Sequence, residues 1–267
     1  MTTKEIIYNN SRIIYTVSGK GLPVMLVHGF AEDRRIWDDF AGRLSEEFLL
    51  IVPDLPGSGQ SELLQGDGVQ ISDYAALLYA ILQKENIAKC CMIGHSMGGY
   101  ISLSFAEKYP GMLCGLGLFH SSAYADDEAK KDTRRKGIEF IQNNGPLAFL
   151  KTSIPGLFAD AEKSKADITE LIGQAEAFSA EALIQYYNAM IARPDTTVVL
   201  QNTRTPVLFI MGVHDKAVPF QHSLEQSHLP SIAHIHILRN GAHMGMLEEK
   251  EASFTDLRNF LQSVHVL

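Results

Sequence analysis

The sequence predicts a doubly wound α/β fold: a mostly parallel central sheet flanked by helices, with a helical block inserted late in the chain. Through residues 1–122 and 199–267, short apolar runs alternate with amphipathic stretches, the rhythm of strand, helix, strand. Between 123 and 198 the rhythm stops and helical patterns follow one another with no central strand. A chain of 267 residues, 46% hydrophobic and 20% charged, is large enough to bury one sizeable core.

The elements follow in order. "KEIIY" and "RIIYTVSG", parted by "NNS", predict an antiparallel pair at the N-terminus. "LPVMLVHG" and "FLLIVPD" are continuous apolar runs, as expected of parallel strands covered on both faces. Between them "RRIWDDFAGRLSEE" sets Ile36, Trp37, Phe40 and Leu44 on one helical face, which reads as core. "ISDYAALLYAILQKENI" is an amphipathic helix, "KCCMIG" a strand, and "SMGGYISLSFAEKYP" a helix that closes at Pro110. "MLCGLGLFHS", "TPVLFIMG" and "IAHIHIL" supply three more strands, and the last helix runs from about Ser253 to Val264.

The inserted block, residues 123–198, resembles a lid over a site, with Pro146, Pro155 and Pro194 separating its helices. Phe149, Leu157, Phe158, Phe178 and Met190 are its candidates for lining an apolar pocket. "KKDTRRK" (Lys130 to Lys136) reads as the solvated face of a helix.

A net charge of −8 disfavours general affinity for nucleic acid or anionic membranes. The start "MTTKEIIYNN" has no apolar leader and no run reaches a membrane-spanning length, so a cytoplasmic protein is expected. Three cysteines, two of them adjacent in an apolar strand, read as buried free thiols. His234 and His236 share a strand face but suggest no third ligand, so no metal is expected. No Walker A or H-E-x-x-H pattern occurs.

"GHSMG" (Gly94 to Gly98) fits G-x-S-x-G, a pattern that chance alone produces about once in ten chains of this length. Its position matters more: the strand passes directly into a helix there, a turn that admits only small neighbours. That turn displays Ser96 above the sheet edge, at a helix N-terminus whose N–H groups favour a developing anion. A serine hydroxyl is a poor nucleophile without a base and a group to orient that base. Asp215 follows one apolar strand and His243 the next, so parallel strands bring both to the same edge as Ser96.

At these residues the chain resembles the α/β-hydrolase superfamily over nearly its whole length. "VHGF" (Val27 to Phe30) is similar to the family's oxyanion loop, "PDLPGSGQS" (Pro53 to Ser61) to its D-x-x-G-x-G-x-S loop and "GHSMGG" to its nucleophile elbow. "GVHDKAVP" (Gly212 to Pro219) and "GAHMGMLEE" (Gly241 to Glu249) are similar to its acid and histidine loops. The resemblance implies a cofactor-independent serine hydrolase in which Ser96 attacks, His243 acts as base and then acid, and Asp215 orients the ring. It implies backbone N–H donors for the oxyanion at Phe30 and Met97, and loop-shaping roles for His28, Gly29 and Asp54. His95 is expected to point away from the hydroxyl and His214 to sit on a surface loop, while His120, at a strand end, is a candidate for substrate contact.

The expected substrate is a small, uncharged or weakly polar ester. One alternative is cleavage of a carbon–carbon bond in a vinylogous diketone acid, which requires an arginine or lysine in the pocket, with Arg193 and Arg34 as candidates. The other, of a different class, is a small-molecule receptor that retains a hydrolase pocket.

Overall fold

A computed structural model of the chain describes residues 1–265. Strands β1 (Thr2–Tyr8) and β2 (Ser11–Ser18) form the antiparallel pair, turning through Asn9 and Asn10, both at positive φ. Strands β3 (Leu22–Val27), β4 (Phe48–Pro53), β5 (Cys90–His95), β6 (Leu113–Phe119), β7 (Val207–Gly212) and β8 (Ala233–Leu238) complete one sheet of order β1-β2-β4-β3-β5-β6-β7-β8. The pairings β1/β2 and β2/β4 are antiparallel and the rest parallel. The order reverses at β3, which lies between β4 and β5, and loops leaving the carboxyl ends of strands at such a switch point form a crevice.

Helix α1 (Asp38–Leu44) follows a 3-10 turn whose start is capped by the Asp33 carboxylate accepting from the Arg35 amide. Trp37 and Phe40 are buried there, edge-on to Phe119 of β6. Helix α2 (Ile71–Lys84) opens with the Gln70 amide donating to Asp73, and packs on α3 (Met97–Lys108), which covers β5. Cys90 and Cys91 are buried thiols, and Cys91 Sγ lies 3.4 Å from Cys114 Sγ on the neighbouring strand.

The block after β6 holds α4 (Glu128–Asn144), α5 (Pro146–Ser153), α6 (Lys165–Ala175) and α7 (Ala180–Ala192), followed by α8 (Thr197–Asn202). Asp127 caps α4 by accepting from the Lys130 amide, and Gly145, at φ 83°, turns the chain so that Pro146 can open α5. The stems of the block meet, because both the amide and the hydroxyl of Thr196 donate to the Ala123 carbonyl at 2.8 and 3.0 Å. The expected limit at residue 198 falls inside α8. This helix packs on α3, so it belongs with the sheet.

After β7 come α9 (Phe220–Gln226), α10 (Gly245–Glu248) and α11 (Lys250–His265), the last three residues longer at its start than its apolar spacing predicts. Helix α11 covers β6, β7 and β8. His236 of β8 pairs with Asp256 at 2.9 Å and the His234 ring packs edge-on to Phe260, so α11 occupies both histidines. Among the described residues no helix is long and apolar enough to cross a membrane.

Candidate active site

Strand β5 ends at His95 and α3 begins at Met97, so Ser96 alone makes the turn, at φ 50° and ψ −116°. Such a backbone costs about 1–3 kcal/mol and persists only where its surroundings impose it. Two close approaches do so here. A Cβ on Gly94 would lie 2.2 Å from the Gly98 carbonyl oxygen, and one on Gly98 would lie 2.3 Å from that of Val27. Among the described residues six non-glycine residues have positive φ; three are asparagines, and the other three, Ala31, Ser96 and His120, surround the site.

The structure brings the three separated residues into line. Ser96 Oγ lies 2.9 Å from His243 Nε2, and His243 Nδ1 lies 2.8 Å from Asp215 Oδ2. Asp215 follows β7 and also accepts the amides of Ala217 and Val218 at 2.8 Å each. Burial opposes its charge, but His243 and His120 beside it hold the carboxyl far below the usual carboxylate range. Asp215 is therefore ionised at neutral pH, and the imidazole between it and the serine is set to accept the hydroxyl proton.

Phe30 lines the same cavity as Ser96, and Met97 opens α3. Among the described residues neither backbone N–H donates a hydrogen bond. A Cβ on Gly29 would lie 3.1 Å from that of Ser96, so the loop carrying Phe30 runs against the serine. Below it, His28 Nε2 accepts from the Leu55 amide at 2.9 Å, and Asp54 accepts from the amides of Arg34 and Gln60 at 3.0 Å each. Both brace loops, as expected, and neither lines the cavity.

His95 is fully buried, with Nδ1 2.9 Å from Glu32 Oε2 and Nε2 3.0 Å from the His243 carbonyl. Glu32 also accepts from the Gly29 amide at 2.6 Å. One carboxylate and one imidazole thus tie the Phe30 loop, the strand before Ser96 and the loop of His243 together. Sequence reasoning missed Glu32, because an acidic residue in a loop reads as solvated. Its only signal was its place two residues after "VHGF", a stretch that has to lie deep in the molecule.

Two other expectations are corrected. His120 does not line the cavity: its side chain is fully buried, because its left-handed backbone turns the ring under Asp215. Its Nδ1 lies 3.4 Å from Asp215 Oδ2, in an alignment that leaves both ring nitrogens without a hydrogen-bond partner, and burial pushes its pKa down to about 4. The basic run on α4 is not wholly solvated either, since Lys130 and Arg134 line the cavity beside Ser96. Arg193 and Arg34, the expected candidates, do not line it: Arg193 is held by Asp126 and Arg34 by Asp54.

The cavity has a volume of about 200 Å³. Leu157 and Met190 line it, as expected, with Leu150, Ile154 and Leu171. Phe158 and Phe178 are instead core, and Phe149 packs edge-on to Phe30 and Tyr187. Tyr187 of α7 stacks on Phe30 with ring centroids 4.4 Å apart, so the inserted helices press directly on that loop.

Residues 23–114 match the family model described as the alpha/beta hydrolase fold. The chain is similar to a protein of Mycobacterium tuberculosis, 28% identical over 116 residues that make up 43% of this chain and 34% of the relative. It therefore spans about a third of the length of the first curated relatives it matches. It is also 30% identical, over 91% of its length and 64% of the relative's, to the dihydrolipoyllysine-residue acetyltransferase component of the acetoin cleaving system of Pseudomonas putida. Among solved structures, a thermophilic esterase from Thermogutta terrifontis superposes with a TM-score of 0.92 at 28% identity, covering 99% of this chain and 100% of that one. Sheet order, strand-to-helix elbow and these similarities agree: the chain belongs to the α/β-hydrolase superfamily.

Proposed function

We propose that this hydrolase cleaves a carboxylic ester through an acyl-enzyme, with Ser96, His243 and Asp215 as its catalytic triad. The observation that carries the reading is the hydrogen-bonded line from Ser96 Oγ to Asp215, at 2.9 and 2.8 Å, opening on a cavity of about 200 Å³. Ser96 Oγ attacks the ester carbonyl while His243 Nε2 takes its proton. The tetrahedral oxyanion is held by the N–H groups of Phe30 and Met97, each contributing about 3 kcal/mol of transition-state stabilisation. Collapse breaks the bond to the alcohol oxygen, which receives the proton from His243. Water, deprotonated by the same ring, then releases the acid and restores Ser96. Residues 123–196, whose stems meet at Ala123 and Thr196, form the lid over the acyl pocket.

Intact-protein mass after exposure to a fluorophosphonate is expected to show one adduct, absent from Ser96→Ala. The same variant should lose 4-nitrophenyl ester turnover by at least ~10⁴-fold with its melting temperature unchanged. Undiminished turnover in Ser96→Ala would end this assignment. Adduct formation with negligible turnover across esters would favour the receptor reading.

A further inference from the structure

The charges of α4 divide between two faces. On the outer face Lys131 pairs with Glu128 at 2.9 Å, and Arg135 pairs with Asp132. Lys130 and Arg134, one turn apart, face inward and line the cavity shared with Ser96 and His243. The Arg134 side chain is only 11% exposed, and its Nε donates to Asp126 Oδ2 at 2.6 Å. Asp126 is shared, because Arg193 Nη1 lies 2.9 Å from its other oxygen. One carboxylate therefore serves two guanidinium groups.

Arg134 Nη2 reaches Asp126 only at 3.4 Å, and no hydrogen bond from Nη1 is found among the described residues. Lys130 Nζ donates to the Ala217 carbonyl, which occupies one N–H without neutralising the charge. Glu32, the one acidic residue lining the cavity among the described residues, is committed to the Gly29 amide and to His95. Withdrawing a guanidinium from water costs several kcal/mol unless charge and hydrogen bonds compensate it. Here the compensation is incomplete, and the surplus is positive and faces a mostly apolar chamber.

We infer that the substrate is an ester bearing a carboxylate, which the free edge of Arg134, with Lys130 beside it, binds while the apolar wall holds the intervening carbons. The inference rests on the serine-ester reading and deepens it, replacing the uncharged substrate expected from sequence. A guanidinium edge matches the two oxygens of a carboxylate, so the pair supplies geometry as well as charge. A hemiester of a dicarboxylic acid has this form.

The test compares kcat/KM of the full chain for 4-nitrophenyl hemiglutarate and for 4-nitrophenyl hexanoate, a neutral ester of similar length. The hemiester is expected to be favoured by tenfold or more. Arg134→Gln should lower that ratio at least tenfold, and Arg134→Lys, which keeps the charge but not the fork, by less. A wild-type ratio of one or below overturns the inference even if the variants fold poorly, and so does a ratio that Arg134→Gln leaves unchanged. If neither ester turns over and no fluorophosphonate adduct forms at Ser96, the serine-ester reading beneath it fails.

Discussion

Ser96 holds an unfavourable backbone conformation because its neighbours leave no alternative, and this is where a single atom decides most. A methyl group on Gly98 would sit 2.3 Å from the Val27 carbonyl oxygen, backbone against backbone, so neither side yields cheaply. Gly98→Ala is expected to cost about 1–3 kcal/mol, lowering the melting temperature by roughly 2–10 °C. Because α3 would shift with it, turnover should fall as well. A scanning calorimetry trace matching wild type would show that the elbow is looser than this packing implies. The meeting of Ser96, His243 and Asp215 was legible at this scale because each lies in the stretch that leaves the carboxyl end of an apolar strand. His120 became a candidate for the same reason: a strand end gives a residue's height on the sheet, whereas its positive φ decides which way the ring turns.

At the scale of elements, α4 and α7 explain why a charge pattern and a hydrophobic pattern each told half of the story. Helical spacing puts Lys130 and Arg134 on one face and Lys131 and Arg135 nearer another, but nothing in the spacing says which face meets water. The fold decides it by laying α4 against α7, where Tyr187 stands between Phe30 and Arg134, its ring 5.6 Å from the guanidinium carbon. Tyr187 thereby couples the inserted block to the loop that carries the Phe30 amide. Tyr187→Ala removes an aromatic stack worth about 0.5–1.5 kcal/mol, so kcat should drop about 3- to 10-fold while Ser96 still labels. An unchanged kcat would mean that the loop is held from below, by Glu32 and His28, and needs nothing from α7.

Across the whole molecule, the buried link from Glu32 to His95 joins three loops that are distant in sequence, and its charges give stability a pH dependence. Burial raises the Glu32 carboxyl, but His95 and the Gly29 amide outweigh it, so its pKa lies below the ordinary value. Burial likewise opposes a charged His95, but Glu32 outweighs it and raises the ring's pKa. The Glu32 contribution is present above the unfolded carboxyl value, about 4.3, and is lost as pH falls through the lowered folded one. The His95 contribution is complete below the unfolded imidazole value, about 6.5, and is lost as pH rises through the raised folded one. The pair therefore stabilises most between roughly pH 4.3 and 6.5 and weakens on the alkaline side. Glu32→Gln should cost about 3 kcal/mol at pH 6 and flatten the alkaline decline. Equal slopes of melting temperature against pH in both proteins would rule this pair out as the source.

The strand and helix alternation, the parallel core, the inserted helices and the three residues that meet at Ser96 could be read from the order of residues alone. All of these follow from local rules: apolar runs make buried strands, their carboxyl ends share an edge, and a serine between glycines turns sharply. Which charges are buried together was set instead by the packing of the folded chain. Glu32 with His95, Asp215 above His120, and Arg134 with Arg193 on Asp126 join residues far apart in the chain. An acidic or basic side chain follows the same local pattern whether water or another residue compensates it. Its partner is chosen by the packing of loops and helices across the sheet, and the character of the pocket with it.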